Sequence, residues 1–122
     1  ALAHFSQLLP KNEPGVLAVL SAKVGSIGDN RLGGWYSYRA SKAALNMLLK
    51  TASIEMARTH PKTVLAALHP GTVDSALSAP FRGAHIGRRS TDAARDLLAV
   101  IDGLQPKDSG GFWAYDGQRL PW

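Results

Sequence analysis

Gly33-Gly34-Trp35-Tyr36-Ser37-Tyr38-Arg39-Ala40-Ser41-Lys42 is the stretch around which the rest of the chain is arranged. Its glycine pair closes a loop and good helix formers follow. The pattern predicts a helix over 38–59, ended by His60-Pro61 because the residue before proline avoids the helical region. On that helix Tyr38 and Lys42 stand one turn apart on one face, where a phenol and an ammonium can share a site. A free tyrosine, with a pKa of about 10, handles protons poorly at neutral pH, and a nearby positive charge improves it. The spacing alone is weak evidence, because Arg39, Lys42, Asn46, Lys50 and Ser53 also fit a plain solvated stripe. The helix is apolar on two further arcs, one with Leu45, Leu48, Leu49, Ala52 and Met56, the other with Ala44, Met47 and Ile54. That predicts packing on a sheet and on something else as well.

On either side of this helix lies a short apolar run bounded by turn signals. Val16-Leu17-Ala18-Val19-Leu20 and Thr63-Val64-Leu65-Ala66-Ala67-Leu68-His69 suit strands buried on both faces, as in a parallel sheet covered by helices. The segment 21–34 reads as the loop leaving the first strand, and Pro70-Gly71 leaves the second. After a loop over 72–90, Ser90 or Thr91 is expected to cap another helix. Asp92 falls in its first turn, and Leu97, Leu98, Ile101 and Leu104 form its apolar face. Gly111-Phe112-Trp113-Ala114-Tyr115 is the last strand, and Asp116-Gly117 turns the chain out of it. Upstream, residues 1–10 read as the tail of an amphipathic helix stopped by Pro10.

The order helix, strand, helix, strand, helix, strand implies an α/β fold with right-handed crossovers and a parallel three-layer sheet. Three strands leave the first edge apolar and uncovered, a pairing liability. The chain is therefore expected to be the later part of something longer.

Fourteen basic residues against nine acidic give a net charge of +5, but the basic ones are spread from Lys11 to Arg119 and never run beyond Arg88-Arg89. That argues against the dense stripe of a nucleic-acid binder. Without cysteine there is neither a disulfide nor a thiolate metal site, and His4, His60, His69 and His85 have no metal-ligand spacing. With 122 residues the chain has the size of one domain. No apolar run approaches a membrane span and no signal segment opens it, so the expectation is one cytoplasmic unit that binds neither membrane nor nucleic acid.

Several of these features fall together in a known order. The buried strand, the loop with Gly25-Ser26-Ile27, Tyr38-Arg39-Ala40-Ser41-Lys42-Ala43-Ala44-Leu45-Asn46, and the strand ending His69-Pro70-Gly71-Thr72-Val73 resemble the second half of a short-chain dehydrogenase/reductase. The likeness is to the C-factor type, through residues 33–39, Val100-Ile101-Asp102-Gly103-Leu104, Ser109-Gly110, Asp116-Gly117 and Pro121-Trp122. It implies the C-terminal half of a Rossmann-like doubly wound parallel sheet, with residues 1–122 forming the catalytic and substrate half and the dinucleotide-binding half absent.

By the resemblance, Tyr38 is the acid-base residue of an NAD(P)-dependent carbonyl or alcohol oxidoreductase. Lys42 holds the ribose hydroxyls of the cofactor, NAD or NADP. Pro70, Gly71, Thr72 and Val73 border the nicotinamide, outside the carboxyl ends of the strands. The loop 74–89 is the substrate lid, with Phe81 a candidate apolar contact. The family serine that hydrogen-bonds the substrate carbonyl falls at Ala22, which leaves Ser26, twelve residues before Tyr38, with Ser21 as one alternative and neither serine as another. The glycine-rich turn that approaches a pyrophosphate is also missing, so cofactor binding by this chain alone is in question. Two alternatives accompany the enzyme reading: a non-catalytic binding or C-factor-like signalling protein, and a truncated inactive fragment. Homo-oligomers are expected through helix 38–59 and the C-terminal aromatics Phe112, Trp113, Tyr115 and Trp122.

Overall fold

The computed structural model describes residues 8–71 and 89–122. Three strands, β1 (Gly15–Leu20), β2 (Thr63–His69) and β3 (Gly111–Ala114), form a parallel sheet in the order β1-β2-β3. The register runs from Gly15 opposite Thr63 to Leu20 opposite Leu68, and from Ala66 opposite Gly111 to His69 opposite Ala114. Each parallel step needs a crossover, supplied by α1 (Tyr36–Met56) and α2 (Ser90–Gly103). This is the Rossmann-like α/β arrangement expected from the alternating pattern.

Side chains on a strand alternate between faces, so the central strand serves two cores. Leu65 and Ala67 of β2 pack with Leu49 and Met56 of α1 and with Phe112 and Ala114, whereas Ala66 and Leu68 pack with Leu97 of α2. Residues 63–68 are all buried, which explains their unbroken apolar run.

Several expectations need correction. The first helix begins at Tyr36 and ends at Met56, before the proline acts. Residues 57–59 form a turn, and His60 N–H donates to the Met56 carbonyl at 2.6 Å. Ser90 and Thr91 lie inside α2, whose N-cap is Arg89 with no side-chain cap. Leu48 and Leu98, both assigned to inward faces, are exposed. The polar stripe of this helix is solvated only in part: Lys50 is exposed and Arg39 and Lys42 are half-buried, but Asn46 and Ser53 are buried. Of the C-terminal aromatics, Phe112 is buried and Trp113, Tyr115 and Trp122 are half-buried. Phe112 is fully buried and stacked on Trp122 at 5.3 Å between ring centroids, and the Arg119 guanidinium lies 5.3 Å over the Trp113 ring. Phe81, Thr72, Val73, His4, His85 and most of the expected first helix lie outside the described residues. Among the described residues no helix is long and apolar enough to cross a membrane.

Candidate functional site

At the carboxyl ends of β1 and β2 the sheet meets the start of α1. The Lys42 ammonium lies 5.9 Å from the centroid of the Tyr38 ring and 3.4 Å from the carbonyl of Leu20, the last residue of β1. Both side chains are partly buried. On the neighbouring strand, His69-Pro70-Gly71 leaves β2 with Gly71 at φ +77°, a conformation open mainly to glycine.

Close packing fixes the distance between this helix and the loop before it. A Cβ on Gly25 would stand 2.7 Å from the Lys42 Cβ and 2.9 Å from its carbonyl carbon, so only glycine lets the turn Lys23–Gly25 lie against the helix. The buried Ser21 hydroxyl donates to Asn46 Oδ1 at 2.6 Å and ties the end of β1 to the helix one turn beyond Lys42. The other side of that amide, Asn46 Nδ2, is buried with no partner among the described residues.

The two serines proposed from the sequence are both committed elsewhere. Ser21 is spent on Asn46. Ser26, almost fully buried, donates to the Pro121 carbonyl and accepts from Asp29 N–H at 3.0 Å, so it joins the loop to the C-terminal tail. Ala22, at the position of the family serine, is extended and partly exposed.

His69 also belongs to this region. Its Nδ1 accepts the Lys23 N–H at 3.0 Å, and its ring lies 6.5 Å from that of Tyr115. Burial, and then the Lys23 charge, push its pKa below 6.5, against the opposing pull of Asp116 and Asp29.

Arg39, which the sequence places in the polar stripe, has a second part in this region. It donates from Nε to the Gly34 carbonyl at 2.8 Å, and from its two terminal nitrogens to the Gly33 carbonyl at 3.0 Å and the Val24 carbonyl at 3.2 Å. A signal was available: two glycines before a helix leave carbonyls without a regular partner, and an arginine five residues on can reach them. For Asn46 the signal was an amide set among Ala43, Ala44, Leu45, Leu48 and Leu49.

No family model matches the chain. It is 39% identical over 120 residues to C-signal of Myxococcus xanthus, which covers 96% of this chain and 69% of that protein. It is 40% identical over 111 residues to 1-hydroxy-2-glutathionyl-2-methyl-3-butene dehydrogenase of Rhodococcus sp. (strain AD45), covering 91% of this chain and 48% of that one. Among solved structures, an NADPH-bound carbonyl reductase from chicken fatty liver superposes with a TM-score of 0.76 at 32% identity, over 88% of this chain and 42% of its own. The chain thus spans about two thirds of C-signal and about half or less of the other two. With the parallel sheet, the order of its helices and these likenesses in agreement, the chain belongs to the short-chain dehydrogenase/reductase family.

Proposed function

We propose that this chain carries the proton-transfer site of a nicotinamide-dependent oxidoreductase that interconverts a small-molecule carbonyl and its alcohol. The observation that carries the reading is the Lys42 ammonium, 5.9 Å over the Tyr38 ring at the ligand-binding end of a parallel sheet. In the reducing direction the Tyr38 hydroxyl donates its proton to the substrate carbonyl oxygen. NADH or NADPH, when bound, supplies the hydride to the carbonyl carbon. The Lys42 ammonium stabilises the negative charge that builds on the phenol oxygen as its proton leaves, and Tyr38 then recovers a proton from solvent. Tyr38 works here without Ser21 or Ser26, whose hydroxyls are given to Asn46 and to the Pro121 carbonyl.

The residues present fit one end of the cofactor. Lys42 can meet ribose hydroxyls, and the left-handed Gly71 after Pro70 allows close backbone approach beside a nicotinamide ring. Thr72 and Val73 complete that border in this reading. The NADPH in the chicken carbonyl reductase supports this choice of cofactor class. The pyrophosphate end has no matching residues, since the sequence contains no glycine-rich turn after a first strand. We place the reaction in the cytoplasm, with self-association through the exposed Met47, Leu48 and Ile54 of α1.

The test is Tyr38→Phe in the protein as encoded, assayed with NADPH or NADH and 4-nitrobenzaldehyde. Loss of general acid catalysis predicts a fall in kcat of about 10²–10⁴-fold with nucleotide binding retained by fluorescence titration. Unchanged turnover would remove the basis of the reading.

A further inference from the structure

We propose that Arg39 is a positioning residue that holds the Tyr38–Lys42 pair in its working geometry by clamping the loop in front of it; this rests on the oxidoreductase reading above. The start of α1 lacks an ordinary cap. Trp35 at the N-cap is left-handed (φ 53°, ψ 45°), no side chain caps the turn, and no acidic residue lies in it. Gly33 and Gly34 before it are also left-handed, at φ 68° and 74°, and nothing lies within 4 Å of where their Cβ atoms would be. Trp35 is strained and both glycines are unpacked, and apart from the Gly33 N–H, which donates to Asn30 Oδ1 at 3.1 Å, the run needs a further hold.

Arg39 supplies that hold. Its planar group reaches the Gly33 and Gly34 carbonyls on one side and the Val24 carbonyl on the other. Val24 sits in the turn whose Gly25 is pressed against Lys42. One guanidinium therefore joins three things: the left-handed run, the turn that abuts Lys42, and the first turn of the helix, where Tyr38 immediately precedes it. A lysine offers a point charge on a flexible stem and cannot span three carbonyls in fixed directions. The reaction needs the phenol oxygen within hydrogen-bond reach of the substrate oxygen, and displacement by about 1 Å costs about 100-fold in rate.

The test compares Arg39→Lys and Arg39→Met with Arg31→Lys, a control on the same loop whose guanidinium bonds the neighbouring Gly28 and Asn30 carbonyls. Turnover of 4-nitrobenzaldehyde, KM for NADPH and amide hydrogen exchange at residues 33–36 are measured in the protein as encoded. Both Arg39 variants are expected to lose about 10–100-fold in kcat, with KM for NADPH within about twofold, and to exchange faster at 33–36. The control should match the parent. Arg39→Lys with parental kcat and exchange would overturn the proposal, because charge alone would then suffice. Global unfolding of Arg39→Lys by circular dichroism would overturn it too, making Arg39 a determinant of the fold. The exchange result reads the clamp without any turnover, so failure of the oxidoreductase reading, seen as an active Tyr38→Phe protein, remains separate.

Discussion

The two edges of the sheet are finished in different ways. Beyond β3 the chain folds back and closes its own edge. Ala114 N–H donates to the Gln118 carbonyl at 2.8 Å, Leu120 N–H donates to the Phe112 carbonyl at 2.7 Å, and Trp113 pairs antiparallel with Arg119. Beyond β1 no strand lies among the described residues, and Val16 and Leu20 are exposed at 39% and 60%. The closed edge is rich in aromatic packing, whereas the end of the open edge is where Lys42 meets Leu20 and where Tyr38 stands. In this fold the denser packing lies at one margin and the proposed site at the other.

The contrast is broken most severely by Phe112→Ala. It removes a fully buried ring stacked on Trp122, and destabilisation of about 3–5 kcal/mol is expected in urea unfolding. A loss below about 1 kcal/mol would mean that the closed edge is not the stable one. An intermediate effect is expected at the carboxyl end of β2, between the edges. Because the folded state holds His69 below its ordinary pKa of 6.5, the unfolded chain binds that proton more readily. Stability from this group is therefore full above about pH 6.5 and falls as the pH drops through the folded value. Protonation would also break the bond from Lys23 N–H to Nδ1. Unfolding midpoints between pH 8 and pH 5 should decline less in His69→Gln, and equal declines would refute this. The smallest effect on stability is expected from Val16→Lys on the open edge, within about 0.5 kcal/mol. The same charge should lower self-association in sedimentation, since a lysine blunts an exposed strand edge. Unaltered association would shift attention to Met47, Leu48 and Ile54 of α1.

The strands and crossovers were legible in the sequence because a parallel sheet writes itself as unbroken apolar runs between turn residues. Residues 63–68 are buried throughout, and their run could hardly mean anything else in this context. Helical spacing put Tyr38 and Lys42 on one face, but only the family resemblance singled them out from a plain polar stripe. What the spacing hid was the setting. Arg39, Asn46 and Ser53 look like a solvated stripe when the helix is considered by itself. The partners of Arg39 and Asn46, the Gly33 and Val24 carbonyls and Ser21, appear only when the loop and β1 are folded against it, whereas Ser53 bonds the Lys50 carbonyl of its own helix. Ser26 was misleading for the same reason. Its separation from Tyr38 in sequence suggested a shared site, but its hydroxyl is taken by Pro121, and no local pattern announces a partner 95 residues away. Aromatic content likewise does not tell that Phe112 is buried against Trp122 while Trp113, Tyr115 and Trp122 stay half-buried.

That distant bond bears on how the molecule is made. The Ser26 hydroxyl meets the Pro121 carbonyl, and Ile27 N–H meets that of Trp122, so the loop ahead of Tyr38 is anchored to a segment synthesised long after it. Contacts of such high sequence separation close late, because the intervening chain must first surrender its freedom. A nascent chain emerging from the ribosome can form the helix that bears Tyr38 and Lys42 before this loop has anything to rest on. The loop therefore settles after the helix it faces, and a product cut short before Pro121 would carry Tyr38 and Lys42 without the anchor that settles the loop beside them.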